Sequence, residues 1–329
     1  MGDVLHAMPA VAALREKHPE WFIGWVVEPR WSPLLRSGIL MPLVDRIYFA
    51  STREWKKRPF SGGTIGDIAS LRKELRKERF DLCVDMQGSL RSAVIGRMAG
   101  ALRYIGPSDP REAPARWFYG EQVAAAAAHV VEQGCELLGG AVGEVLRPAA
   151  VELPIDEPAE EACQSMLDRL GLVDEEFVLL APTAGWGAKQ WPSERYGAVA
   201  AELARRGFRV AVNAASEDDA TAQAVVRAST GTAVVVPSDL PELIALTRRA
   251  KLVIAGDTGP LHLAAALERP VVALFGPTDP ARNGPYGTRV RVLRHGAERR
   301  DHRRLSEPEA GLLEITVDEV VEAAVELLE

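Results

Sequence analysis

The stretch Ala255-Gly256-Asp257-Thr258-Gly259-Pro260-Leu261-His262 decides how this chain is read. An apolar run, Leu252-Val253-Ile254, leads into it, and an alanine-rich run leads out. The pattern is strand, tight glycine turn, helix. Such a turn gathers free backbone N–H groups and the positive end of a helix dipole at one point, where phosphate binds well. Asp257, Thr258 and His262 add side-chain polarity at the same spot.

Outward from that turn, the second half of the chain repeats the strand–helix alternation. Glu160 to Leu170 reads as a helix ending at Gly171, a C-cap. Phe177 to Thr183 reads as a strand, followed by a loop carrying Gly185, Gly187 and Lys189. Pro192 stands just before a helix over 194–206, near the favoured proline position. Strands at Arg209 to Asn213, Ala233 to Val236 and Val271 to Phe275 alternate with further helices. Thr316-Val317-Asp318-Glu319 is a capping box that opens the last helix.

The first half has the same rhythm. A helix is expected over 9–17 and an amphipathic one over 65–79, where Ile65, Ile68, Leu71 and Leu75 recur at helical spacing. Strands are expected at Phe22 to Val27, Asp45 to Phe49 and Phe80 to Asp85. Ala124 to Leu138 reads as a long alanine-rich helix. Alternation of this kind argues for parallel sheets covered on both faces. Between Gly139 and Pro158 the chain becomes glycine- and proline-punctuated. The boundary is placed there, giving domains 1–150 and 151–329. The last helix is expected to pack back on the first domain.

Composition limits the function classes. With 329 residues, 47% apolar and 26% charged, the chain is globular and of two-domain size. No apolar run approaches the ~20 residues that span a bilayer, and no signal peptide is expected. The net charge of −7 argues against general nucleic-acid binding. Basic residues gather early, at Arg53, Lys56, Lys57 and Arg58 and over 71–79, which would suit an anionic acceptor or membrane surface. Cys83, Cys135 and Cys163 are far apart and read as reduced thiols, with no zinc spacing.

Chemistry concentrates at strand ends, where doubly wound sheets bind ligands. Asp257-Thr258-Gly259 offers N–H donors and a hydroxyl to a diphosphate. Thr183 and Lys189 lie on the glycine-rich loop, where an ammonium could take up charge on a leaving group. Glu217 follows another strand and could accept ribose hydroxyls, a role Asp218 could also fill. His262 by itself reads more often as a satisfied structural histidine than as a ligand.

The longer string is more specific. Asp257 to Ala266, then Arg269-Pro270, Leu274 to Pro280 and Gly284-Pro285-Tyr286-Gly287 resemble the signature of the ADP-heptose:lipopolysaccharide heptosyltransferases, glycosyltransferase family 9. The likeness continues at Gly2 to Ala10, Trp25 to Glu28, Phe80 to Gly88, Pro110 to Pro114 and Lys189 to Pro192. The pieces at Trp25 to Glu28 and Arg111-Glu112 are most like those of heptosyltransferases that add the first heptose to the 3-deoxy-octulosonic acid (Kdo) of the inner core.

The resemblance implies a GT-B fold, two doubly wound Rossmann-like domains facing across a cleft. It implies an inverting transfer from ADP-heptose, with no metal or other cofactor. Asp3 matches the family's general base. Thr183, Lys189, Glu217, Asp257, Thr258, Gly259 and His262 match or lie near its nucleotide-sugar positions. Arg53, Lys57 and Arg111 match basic positions for the anionic acceptor, a Kdo-lipid A type molecule, where a guanidinium fork suits a carboxylate or phosphate. The expected location is cytoplasmic, peripheral on the inner membrane. One departure stands out: the family has a strand before Gly2-Asp3. The first strand of the N-terminal domain is therefore expected to be missing, and the natural start to lie upstream. Second-heptose transfer, another nucleotide-sugar transfer within the same family and a GT-B-type nucleotide-sugar 2-epimerase are the alternatives.

Overall fold

The computed structural model describes residues 1–36, 42–173, 176–296 and 307–329. The chain divides into two compact units: Met1 with Asp3–Pro154, and Gly2 with Ile155–Glu329.

The first unit runs α1 (Gly2–Lys17), β1 (Gly24–Val27), β2 (Arg46–Phe49), α2 (Thr52–Lys57), α3 (Gly62–Glu78), β3 (Leu82–Val84), α4 (Leu90–Ala99), β4 (Arg103–Pro107), β5 (Glu121–Val123) and α5 (Val130–Val142). β1 pairs in parallel with β2, and β3, β4 and β5 form a second parallel sheet. Among the described residues, β1 pairs only with β2 and β3 only with β4. Their side chains nevertheless share a core, in which Val26, Tyr48 and Cys83 meet Leu71 and Leu75 of α3 and Ala99 of α4.

Two elements differ from the sequence expectation. Helix α1 begins at Gly2 and carries Pro9 inside it, so Asp3 lies in its first turn. Proline there removes one backbone donor. Burial of Val4, Leu5, Ala7 and Met8 ahead of the proline outweighs that loss and keeps the turn helical. The alanine run 124–128 is not helical, and α5 starts only at Val130. Tertiary bonds override alanine's propensity: Glu136 Oε2 accepts the N–H groups of Ala126 and Ala127 at 2.6 and 3.0 Å.

The second unit runs α6 (Glu157–Leu170), β6 (Phe177–Ala181), α7 (Ser193–Arg205), β7 (Arg209–Ala214), α8 (Ala220–Ala228), β8 (Ala233–Pro237), α9 (Leu240–Arg249), β9 (Leu252–Gly256), α10 (Gly259–Ala266), β10 (Val271–Leu274), α11 (Pro280–Asn283), β11 (Val290–Leu293), α12 (Ala310–Glu314) and α13 (Val317–Leu328). Its parallel strands lie in the order β8-β7-β6-β9-β10-β11. Numbered within the unit, that is 3-2-1-4-5-6, the doubly wound Rossmann order.

The strands read as continuous apolar runs because both faces are covered. Val178 and Leu180 enter a core with α7, α8 and α13, whereas Phe177, Leu179 and Ala181 enter another with α6, α9 and α10. Each fully buried leucine there contributes on the order of 1.5–3 kcal/mol. The apolar face of α13 packs on α7 and β9 to β11 of its own unit. The capping box at Thr316 and Glu319 and the left-handed C-cap at Gly171 are present. Among the described residues, no helix is long and apolar enough to cross a membrane.

Candidate functional site

The sheet order of the second unit creates its binding position. β6 and β9 are neighbours, but the chain continues to β7 on one side and to β10 on the other. Their following loops therefore part at the carboxyl ends, leaving a crevice at the switch point. Residues 182–190 follow β6, and Asp257 and Thr258 follow β9.

Asp257 is the centre of that position. It is 7% exposed. Its Oδ2 accepts from Lys189 Nζ and, at 2.6 Å, from Thr278 Oγ1. Its Oδ1 lies 3.1 Å from His262 Nε2. Burial opposes ionisation of this carboxyl, but the His262 hydrogen bond and the Lys189 charge outweigh it. The group is held well below the usual carboxylate range. A carboxylate is an acceptor only. The Asp257 carboxylate is thus no donor to a phosphate; it fixes the Lys189 ammonium and the Thr278 hydroxyl beside it. Lys189 Nζ also donates to the Asp257 carbonyl at 3.3 Å. An ammonium has three donors, so one N–H remains beyond these two contacts.

The loop bearing Lys189 is anchored on both sides. Gly256 faces it at close range: a Cβ there would stand 3.0 Å from the Lys189 carbonyl oxygen. Trp191, 1% exposed, donates from Nε1 to the Ile315 carbonyl at 3.3 Å. Lys189 Nζ also lies 4.8 Å from the Trp186 ring centroid. At the start of α10, Thr258 is the N-cap and makes no side-chain capping bond; its Oγ1 donates to the Gly256 carbonyl at 3.2 Å. The first N–H groups of α10, at Gly259 onward, thus have no cap from Thr258 and suit an anion. Thr183 lies half-buried on the loop after β6. Glu217 is exposed after β7, its carbonyl bound by Gln223 Nε2 at 2.7 Å, and it is not part of the Asp257 cluster.

A stability test follows from the Asp257 environment. A carboxylate whose folded pKa is depressed adds stability above its unfolded value, about 3.9, and loses it as pH falls toward the folded one. The melting temperature of the native protein is therefore expected to fall more steeply below about pH 4 than that of Asp257→Asn. Parallel slopes in a pH series of thermal melts would reject this.

The first unit gathers a second group. Gln87 Nε2 donates to Asp3 Oδ2 at 2.7 Å, and Arg111 Nη1 lies 3.6 Å from the same oxygen. Arg53 and Lys57 sit on α2, whose start is held by Glu28: its Oε1 accepts from Thr52 Oγ1 and, at 3.1 Å, from the Arg53 N–H. Lys57 pairs with Glu54 at 2.7 Å on the exposed surface, an arrangement worth little. Asp3 and Arg111 are thus brought together, whereas the Arg53 backbone and the Lys57 side chain engage Glu28 and Glu54. Sequence reasoning missed Thr278 and Gln87 as site residues. Both lie inside motifs already quoted, Leu274 to Pro280 and Phe80 to Gly88, which was the available signal. Among the described residues, no three His, Cys, Asp or Glu side chains gather as a metal site would need.

The family model described as glycosyltransferase family 9 (heptosyltransferase) matches residues 68–311. Lipopolysaccharide heptosyltransferase 1 of Escherichia coli K12 is 28% identical over 298 residues, covering 89% of this chain and 90% of its own. The solved structure of E. coli heptosyltransferase WaaC with ADP superposes with a TM-score of 0.78 at 26% identity, covering 99% of this chain and 97% of that one. The structure of WaaC with ADP-2-deoxy-2-fluoro heptose gives 0.76 at 26% identity, covering 99% and 96%.

Proposed function

This chain belongs to glycosyltransferase family 9, an enzyme of GT-B fold, and from that membership we propose that it moves heptose from ADP-heptose to a Kdo residue of the lipopolysaccharide inner core. The observation that carries the reading is the Asp257 cluster at the switch point of the second unit. There Lys189, Thr278 and His262 converge on one buried carboxylate beside the start of α10.

In this reading the second unit holds the donor. The diphosphate lies on the first N–H groups of α10 and against Lys189, with Thr183, Thr258 and Gly259 beside it; Glu217 takes the ribose hydroxyls. The first unit supplies the acceptor site. Arg111, Arg53 and Lys57 hold its carboxylate or phosphate groups, and Asp3 takes the proton from the attacking hydroxyl. That oxygen bonds to the anomeric carbon as the bond from carbon to the diphosphate oxygen breaks. A single displacement inverts the anomeric centre. Charge grows on the departing ADP and is met by Lys189 and the helix start, donors fixed in advance. No metal is required, because the ammonium and the backbone donors perform the leaving-group work.

A lipid acceptor brings the enzyme to the cytoplasmic face of the inner membrane. Supporting such contact, Arg72, Arg76 and Arg97 line a pocket of about 380 Å³ with Val94, Met98 and Phe118. Trp117, next in sequence to Phe118, is 77% exposed.

Incubation with ADP-heptose and Kdo-lipid A in anionic vesicles tests the proposal. Release of ADP, with a mass gain of one heptose on the acceptor, is the expected result. ADP release only with an acceptor that already carries one heptose would move the assignment to the second transfer, and no turnover with either would reject it. Sedimentation of the protein with the vesicles checks the membrane contact in the same mixture.

A further inference from the structure

We infer that Gln87 is a positioning residue that sets the Asp3 carboxylate for proton removal, and that a buried hydrogen-bonded centre at Asp85 holds Gln87 in place. The inference rests on the reading of Asp3 as the base.

Asp3 and Gln87 are 84 residues apart in sequence. The 2.7 Å bond from Gln87 Nε2 occupies Asp3 Oδ2. Oδ1 is then the oxygen left to meet an acceptor hydroxyl. Asp3 lies on a solvent-facing helix turn, its side chain 56% exposed. Without a fixed partner such a carboxylate would sample several rotamers. The orientation of the Gln87 amide is itself constrained, because its Oε1 accepts from Ser89 Oγ at 3.4 Å. That leaves Nε2 directed at Asp3.

The loop carrying Gln87 is held from beneath. Asp85 is 5% exposed, and four donors converge on its carboxylate. The N–H groups of Gln87 and Gly88 reach Oδ1 at 3.0 and 3.1 Å. Ser92 Oγ and Tyr119 OH reach Oδ2 at 2.9 and 2.8 Å. Ser92 belongs to the capping box of α4, and Tyr119 stacks edge-on against Tyr104. The loop has little room to shift. Gly88 has φ +66°, and a Cβ on it would stand 3.0 Å from the Arg111 nitrogen. The Glu112 N–H donates to the Gly88 carbonyl at 3.0 Å. The segment bearing Arg111, the second group near Asp3, is thereby stitched to the same loop. A buried, fully paired carboxylate of this kind rigidifies what it binds. Here that is the backbone from which Gln87 reaches the base.

A double-mutant cycle on the full chain tests this, with kcat and both KM values followed by ADP release. Gln87→Leu is expected to lower kcat about 10-fold, the scale at which a charge-assisted bond and a misplaced reacting group act. KM for ADP-heptose and the melting temperature should stay within experimental scatter. In an Asp3→Asn background, Gln87→Leu should cost nothing further, since its effect runs through that carboxylate. Equal losses from Gln87→Leu in both backgrounds, or a change confined to KM, would overturn the inference and leave Asp3 as base. Full turnover by Asp3→Asn alone would overturn the base assignment, and the role of Gln87 with it. Tyr119→Phe, which removes one donor from Asp85 without touching Asp3, should lower kcat in the same sense and by less. An unchanged kcat there would show that the buried centre does not hold Gln87.

Discussion

Asp3→Asn is expected to lower kcat about 10²- to 10⁴-fold, the range for loss of a positioned general base. The substitution keeps the shape of the side chain and an oxygen able to accept from Gln87. What it removes is the carboxylate that takes the acceptor proton. Asp3 is more than half exposed and its neighbours are on the surface, so its conversion to an amide should leave the melting temperature unchanged. Donor binding, measured as the affinity for ADP, should also be unchanged, because the proposed ADP ligands lie in the second unit. The combination is diagnostic: a large kcat effect with intact folding and intact ADP binding. A variant that keeps half of the native turnover would sink the assignment.

Lys189→Met should be damaging in two ways that can be separated. The Lys189 side chain is 13% exposed and Asp257's is 6% exposed, so the pair is largely removed from water. Taking away the ammonium leaves Asp257 ionised against His262 and Thr278 alone. Breaking a buried pair costs about 3–5 kcal/mol, or roughly 6–20 °C in melting temperature for a unit of this size. Transfer should also fall about 10²- to 10³-fold, the scale for losing one preorganised donor to a developing anion. The double variant Lys189→Met/Asp257→Asn removes the unpaired charge along with its partner. It should recover a substantial part of the stability and none of the activity. Recovery of both would assign Lys189 to folding alone. An unchanged kcat/KM in Lys189→Met would remove it from the donor site.

The strands and helices of the second unit were legible because their signals are local. The run Leu252 to Ala255 and the turn at Gly256 to Gly259 specify strand, turn and helix within a dozen residues. The C-cap at Gly171 and the box at Thr316 and Glu319 work over a single helical turn. Where local signals misled, a distant contact was responsible. Pro9 looked like the start of a helix, but the buried side chains before it extend α1 to Gly2. The alanine run 124–128 looked helical, but Glu136 claims two of its N–H groups.

The sequence by itself determined the doubly wound class, through spacing along the chain, and the family, through the resemblance of its motifs. Only the tertiary structure decided the work of Asp257. Its carboxylate meets Lys189 from 68 residues away and Thr278 from 21. Those meetings depend on β9 lying between β6 and β10, and buried parallel strands are too alike in pattern to announce their neighbours. The same holds for Gln87 and Asp3, which share no local signal and meet only when the β3–α4 loop is folded against α1. Hydrophobic patterning acts between residues a few positions apart, whereas a site is made where strand order brings remote loops to one point.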